Sequence, residues 1–343
     1  MIMADQTPTH SKQYPEDRSL DTTLRPQKWD DYIGQETIKR NLSILIRAAE
    51  ARKEPIEHLL FYGPAGLGKT TLAYLIAKEL GAQIKSTSGP ALERVGDIAS
   101  VLTNLSSGDI LFIDEAHRLN KLIEEVLYPA MENRSLDIVI GKGPSARIIQ
   151  LELQPFTLIA ATTRIALLSS PLRSRFSGGI FRLEFYTQPE VERILQRSAS
   201  LLRVTLEAQA AAEIAKRSRF TPRIANRLLK RCRDYAQVHT RSPVITQEIA
   251  DKTLELLQID RQGLEQQDRA LLDIIIKKFS GGPVGLQTIA AATSEDESTV
   301  EEVHEPYLIR LGFLERTPRG RCATARAYEH LGLQKPGQSP LLS

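Results

Sequence analysis

A chain of 343 residues, 41% of them hydrophobic and 25% charged, has the composition of a globular protein with two or three separately cored domains. Its two cysteines, Cys232 and Cys322, are far apart and lack metal-ligand spacing, which excludes a disulfide framework and points to a reducing, cytoplasmic setting. No apolar run approaches the roughly 18 residues needed to span a bilayer, and a net charge of +3 by itself neither demands nor forbids a nucleic-acid partner. The first residues, MIMADQTPTHSKQYPEDRSL, have no apolar signal region and read as a polar, mobile tail over 1–20, as does 336–343 at the other end.

The first element with chemistry in it is HLLFYGPAGLGKTTLAYLIAKELG (58–81), a β-rich segment, a glycine loop and a helical pattern. Gly63 to Thr70 matches G-x-x-x-x-G-K-S/T. The glycines let consecutive backbone N–H groups turn inward as an anion nest, and the following helix points its positive end at the same place. Gly66, Gly68, Lys69, Thr70 and Thr71 are therefore candidate ligands of a nucleoside triphosphate. Lys69 suits the β- and γ-phosphates, and the Thr70 hydroxyl suits Mg²⁺.

GDILFIDEAHRL (108–119) supplies the second half of such a site: a four-residue apolar strand ending at Asp114 and Glu115. Asp114 is expected to hold Mg²⁺ through water, and Glu115 to polarise the attacking water. The letters DEAH also name a class of helicases, but those carry two tandem RecA-like cores, for which this sequence has no room. Ala116 and His117 are then a coincidence of spelling.

LDIVIGKGPSARIIQLEL (136–153) reads as a β-hairpin around Gly141–Pro144. Ile138, Ile140, Ile148 and Leu151 make it either a buried core hairpin or an apolar docking surface. The strand FTLIAATTR (156–164) ends in Thr162, Thr163 and Arg164, and Thr163 is a candidate contact for the γ-phosphate and the water. SPLRSRF (170–176) holds Arg173 and Arg175, either ordinary surface cations or an arginine completing a neighbouring subunit's site.

Residues 187–257 give four helical patterns, several opening on Thr or Pro. One contains the arginine-dense RLLKRCR (227–233), either a solvated helix face or a basic patch. Over 258–335 three helical patterns precede FLERTPRGRCAT, two short β-like arms, as in a winged helix. Arg316, Arg319 and Arg321 suit sequence-independent phosphate contact, although such domains also serve as protein scaffolds. The presumed recognition helix (299–311) starts with Glu301, Glu302 and Glu305, so little base reading is expected.

With these parts in order the chain resembles the AAA+ ATPases and, among them, the RuvB family of Holliday-junction branch-migration motors. The carriers include LRPQKWDDYIGQE (24–36), TSGP (87–90), EEVLYPAMEN (124–133), TPRIANRLLKR (221–231), GGPVGL (281–286) and GFLERTPRGR (312–321). The resemblance implies an α/β P-loop AAA+ ATPase core with a parallel sheet over 21–186, a helical lid over 187–257 and a winged-helix head over 258–335. It implies that Leu24 and Arg25 cover the adenine, and that Tyr186 lies at the nucleotide site where the chain leaves the large domain. Glu132, Asn133 and Arg134 are placed near the nucleotide or the subunit interface. Arg175 is the implied finger given to a neighbour, with Arg173 the close alternative, and Arg223 the second sensor. The implied activity is ATP hydrolysis coupled to translocation of double-stranded DNA in a hexameric ring, in recombination and repair. RuvA would dock on the 136–153 hairpin, and RuvC would join the complex. The reading from another class is a nucleotide-switched loader or initiator that assembles on DNA without sustained movement.

Overall fold

The computed structural model describes residues 23–140 and 147–334. The expected tails at 1–20 and 336–343, and the hairpin turn, lie outside these residues, as do the side chains of 138–148.

The large domain is built on a five-stranded parallel sheet: β1 (Leu59–Tyr62), β2 (Ile84–Ser88), β3 (Ile110–Asp114), β6 (Thr157–Thr162) and β7 (Gly179–Arg182), in the order β2-β3-β6-β1-β7. β1, β3 and β6 are near-continuous apolar runs because helices cover both faces of the sheet. Alternate residues serve opposite cores. Leu59, Phe61, Phe112 and Ile159 belong to one, while Leu60, Leu111, Ile113 and Leu158 belong to the other. The register pairs Tyr62 with Thr162 and Ser88 with Asp114, so the polar strand ends line up along one carboxyl edge. That edge is where open α/β sheets bind ligands.

Strands β4 (Ser135–Ile140) and β5 (Arg147–Glu152) pair antiparallel with each other and with no other described strand. Leu136 and Leu153 anchor the base of this hairpin in the core, whereas Ile149 is exposed. The hairpin thus stands off the main sheet, rooted but not absorbed.

Helices Gln188–Leu201, Ala208–Arg217, Pro222–His239 and Gln247–Leu256 form the lid. Thr187 and Glu190 close a capping box on the first, Pro222 opens the third, and Thr246 caps the last. Leu195, Leu228 and Leu254 extend the same apolar core that holds Phe61 and Phe112. The lid therefore packs on the sheet domain instead of hanging from it.

The head has its own core around Leu272, Ile275, Leu308 and Tyr328. Its helices are Gln266–Phe279 and Leu286–Thr293, followed by a helical stretch whose middle, Val300–His304, is π-wound. The wing is strand β8 (Leu314–Thr317) paired with strand β9 (Gly320–Ala323). Two polar seams hold the head in place. Arg219 of the lid reaches the fully buried Asp268 at 2.6 Å, and Asp268 also meets His304 Nδ1 at 2.7 Å. Against the sheet domain, Arg164 meets Glu302 at 2.6 Å. No described helix is long and apolar enough to cross a membrane.

Candidate functional site

The loop between β1 and helix Lys69–Glu79 is shaped by its glycines. Gly63 and Gly68 have φ of 134° and 100°, conformations that side chains resist. A Cβ on Gly63 would sit 2.6 Å from the Leu183 carbonyl, and one on Gly68 would sit 2.9 Å from the Tyr32 hydroxyl. Lys69 curls back over the loop, its Nζ donating to the Gly63 and Pro64 carbonyls at 2.8 and 2.9 Å. Burial pulls its pKa down to about 8, with Asp114 opposing that fall and Arg223 adding to it.

Thr70 Oγ1 donates to Asp114 Oδ2 at 3.0 Å, joining the loop to the tip of β3. Asp114 Oδ1 accepts the Glu115 N–H at 2.9 Å. Glu115 turns left-handed at φ 49°, and its carboxylate pairs with Arg118 at 3.6 Å. A hydroxyl and a carboxylate on one edge are hard oxygen donors of the kind Mg²⁺ takes beside phosphate. Among the described residues no cluster of three or more His, Cys, Asp or Glu forms an all-protein metal cage.

These groups line a cavity of about 560 Å³, a size that suits a nucleotide-sized ligand. Of the residues singled out in the sequence, it gathers Leu24, Arg25, Gly66, Gly68, Lys69, Thr70, Thr71, Asp114, Glu115, Thr163, Tyr186 and Arg223. Leu24 is fixed by its carbonyl, which accepts from Arg197 Nη1 at 2.9 Å, and the Arg25 guanidinium lies 4.7 Å from the Tyr74 ring centre. Tyr186 is buried; its hydroxyl donates to the Leu67 carbonyl and meets the Tyr32 hydroxyl, both at 3.2 Å, and burial pushes its pKa up to about 12. Arg223 enters from the first turn of the lid helix Pro222–His239 and packs its Cβ against Gly66.

Other residues stay outside the cavity. Glu132, Asn133 and Arg134 end the helix Lys121–Asn133, away from the phosphate loop of their own chain, and Glu132 pairs with Arg175 at 3.2 Å. None of the three lines the cavity of its own chain, and their helix ends beside the arginine segment. Arg173 and Arg175 each bury an Nε with no partner among the described residues. The wing arginines differ in their partners. Arg316 and Arg321 both pair with Glu305, a carboxylate only 1% exposed, and Arg321 Nε lies 2.6 Å from it. Arg321, 13% exposed, is committed to that buried acid, whereas Arg316 stays 49% exposed beside it. Arg319, at the wing tip, is exposed and makes no ion pair among the described residues.

Sequence reading missed several participants. Tyr32, Ile33, Ile194, Arg197 and Asn226 also line the cavity; Tyr32, Ile33 and Asn226 lie in segments quoted above, whereas Ile194 and Arg197 lie in none. His117, taken as incidental, has its Nδ1 3.0 Å from Thr162 Oγ1, which accepts the Arg164 N–H. The loop carrying Glu115 is thereby tied to the strand tip carrying Thr163. Glu302 of the head accepts from the Thr163 hydroxyl at 2.8 Å, a contact with no local signal at all.

Three family models match in succession: the Holliday junction DNA helicase RuvB P-loop domain over 24–183, the RuvB AAA lid domain over 186–260 and the RuvB C-terminal winged helix domain over 261–332. The Holliday junction branch migration complex subunit RuvB of Thermomicrobium roseum is 58% identical over 335 residues, 98% of this chain and 93% of that one. Among solved structures, the Thermotoga maritima RuvB Holliday junction branch migration motor is similar at a TM-score of 0.84 and 51% identity, over 92% of this chain and 100% of that one. A point variant of the same protein gives 0.85 and 51%, over 91% and 99%.

Proposed function

This chain belongs to the RuvB family, and we propose that it is a Holliday-junction branch-migration motor that hydrolyses ATP to drive duplex DNA through the junction. One observation carries the reading. Lys69, Thr70, Asp114, Glu115, Thr163 and Arg223, from separate segments, meet in a single cavity, while Arg175 lies outside it.

Each residue has a task there. The Lys69 ammonium neutralises the β- and γ-phosphates, and the loop N–H groups bind their oxygens. Thr70 and Asp114 would hold Mg²⁺, which supplies further charge neutralisation at the phosphates. Glu115, half exposed and paired with Arg118 at 3.6 Å, orients the attacking water. Thr163 donates toward the γ-phosphate or the water from the sheet domain, and Arg223 reaches the same phosphates from the lid. Loss of the γ-phosphate removes a tie between two packed bodies, so their relative angle changes. Leu24, Arg25 and Tyr186 enclose the base. Arg175 completes the site of an adjacent subunit in a ring of six.

The hairpin 136–153 offers RuvA an antiparallel pair rooted at Leu136 and Leu153, and RuvC joins the assembled complex. Arg319 supplies phosphate contact blind to sequence, as a motor moving over any duplex requires. A loader that assembles without sustained movement is not favoured, since lid and head both match the branch-migration family.

The test is ATP turnover with four-way junction DNA and RuvA, alone and together. Repeated turnover, stimulated most by both, is expected, and Glu115→Gln should bind ATP without turning it over. At most one turnover per assembly event would replace the motor with a switch.

A further inference from the structure

We propose that Glu302 of the winged head is a positioning residue for the γ-phosphate sensor, withholding the Thr163 hydroxyl from nucleotide while the head is docked. The proposal rests on the sensing role of Thr163 given above.

Thr163 lines the nucleotide cavity, yet its hydroxyl donates to Glu302 Oε2 at 2.8 Å. A hydroxyl has one proton to give, so it cannot serve this carboxylate and a phosphate oxygen together. The other oxygen, Oε1, is held by Arg164 at 2.6 Å, and Arg164 also lies 3.5 Å from Glu301. Glu302 and Arg164 are both largely shielded, at 28% and 26% exposure, so their attraction is less screened than that of a surface pair. Arg164 Nε is buried without a partner among the described residues, leaving a donor unused in this arrangement. The sensor tip is thus engaged by a carboxylate from another domain.

That carboxylate has two consequences. It occupies the proton Thr163 needs for hydrolysis, and it adds negative charge next to the γ-phosphate, the group that distinguishes ATP from ADP. The adjacent Glu301 faces the wing, 3.3 Å from Arg316 and 4.0 Å from Arg321. Neighbouring carboxylates on one helical segment therefore face the sensor tip on one side and the wing on the other. A duplex phosphate at the wing competes with Glu301 and Glu305 for the half-exposed Arg316, and any head movement that accommodates it draws Glu302 from Thr163.

The experiment compares Glu302→Ala and Glu302→Gln for DNA-free turnover, and for ATP and ADP affinity in a Glu115→Gln background. Losing one charge-assisted hydrogen bond predicts a rise of about tenfold in DNA-free kcat for the alanine variant, and less stimulation by DNA. Both variants should shift preference toward ATP over ADP, because both remove the charge; the near-isosteric glutamine keeps this test available if alanine loosens the head. Unchanged kcat and unchanged ATP/ADP preference in both overturn the proposal. Thr163→Val separates the two levels. If it leaves turnover intact, the sensor assignment itself fails. If it slows turnover while the Glu302 variants change nothing, only the inference about Glu302 fails.

Discussion

Arg175 lies 3.2 Å from the Glu132 carboxylate, with its guanidinium 4.3 Å from the centre of the Tyr128 ring. Glu132 is 53% exposed, so solvent screens the pair and it holds the arginine by about 1 kcal/mol or less. In the finger role proposed for Arg175, a neighbour's multiply charged γ-phosphate would be a far stronger partner. Giving up the Glu132 pair would then cost little.

From this follows the first expectation. Arg175→Ala should leave assembly intact and lower ATP turnover by about 10³-fold or more. Titrating in Glu115→Gln subunits, which keep their arginine, should restore part of the lost rate. A mixing curve with no recovery at any ratio would place the arginine's action within its own subunit.

The second concerns Lys69, whose pKa burial lowers to about 8 in the nucleotide-free protein. Below that pH the ammonium is present; above it the neutral amine prevails. Triphosphate favours the ammonium and raises the pKa in the complex, so ATP affinity should weaken as pH climbs through about 8. Near that pH, binding should take up about half a proton, measurable by calorimetry in buffers of different ionisation enthalpy. No buffer dependence there would contradict the assignment.

The third separates the wing arginines. Arg319→Ala should weaken duplex binding equally for all sequences and reduce the salt slope by about one, with thermal stability unchanged. Arg321→Ala should instead lower stability, by about 1–3 kcal/mol, because Glu305 is buried and loses a charged hydrogen-bond partner. Denaturant unfolding checks the second half and a salt series the first. A destabilised Arg319 variant, or an Arg321 variant as stable as the parent, would reverse the assignment.

Much of the nucleotide site was legible because its parts are contiguous. A glycine loop between an apolar strand and a helix determines its own backbone geometry, so Lys69 and Thr70 could be assigned from a short stretch of letters. The apolar runs of β3 and β6 likewise announced buried parallel strands, with Asp114 and Thr163 at their ends. Helix starts at Thr187 and Thr246 were readable from threonine's capping chemistry, and the one at Pro222 from proline's fixed φ.

Pairings of charge were not readable in this way. Thr163 and Glu302 are 139 positions apart, and Arg321 finds Glu305 only because the wing folds back on its helix. Sequence by itself determined which residues turn, which alternate into a core and which cradle phosphate, since backbone propensity and hydrophobic period act over a few residues. Tertiary structure alone decided which arginines are spent on buried acids and which acid holds the sensor. A charge has no intrinsic partner: it takes the one that domain packing brings within a few ångströms and shields from water.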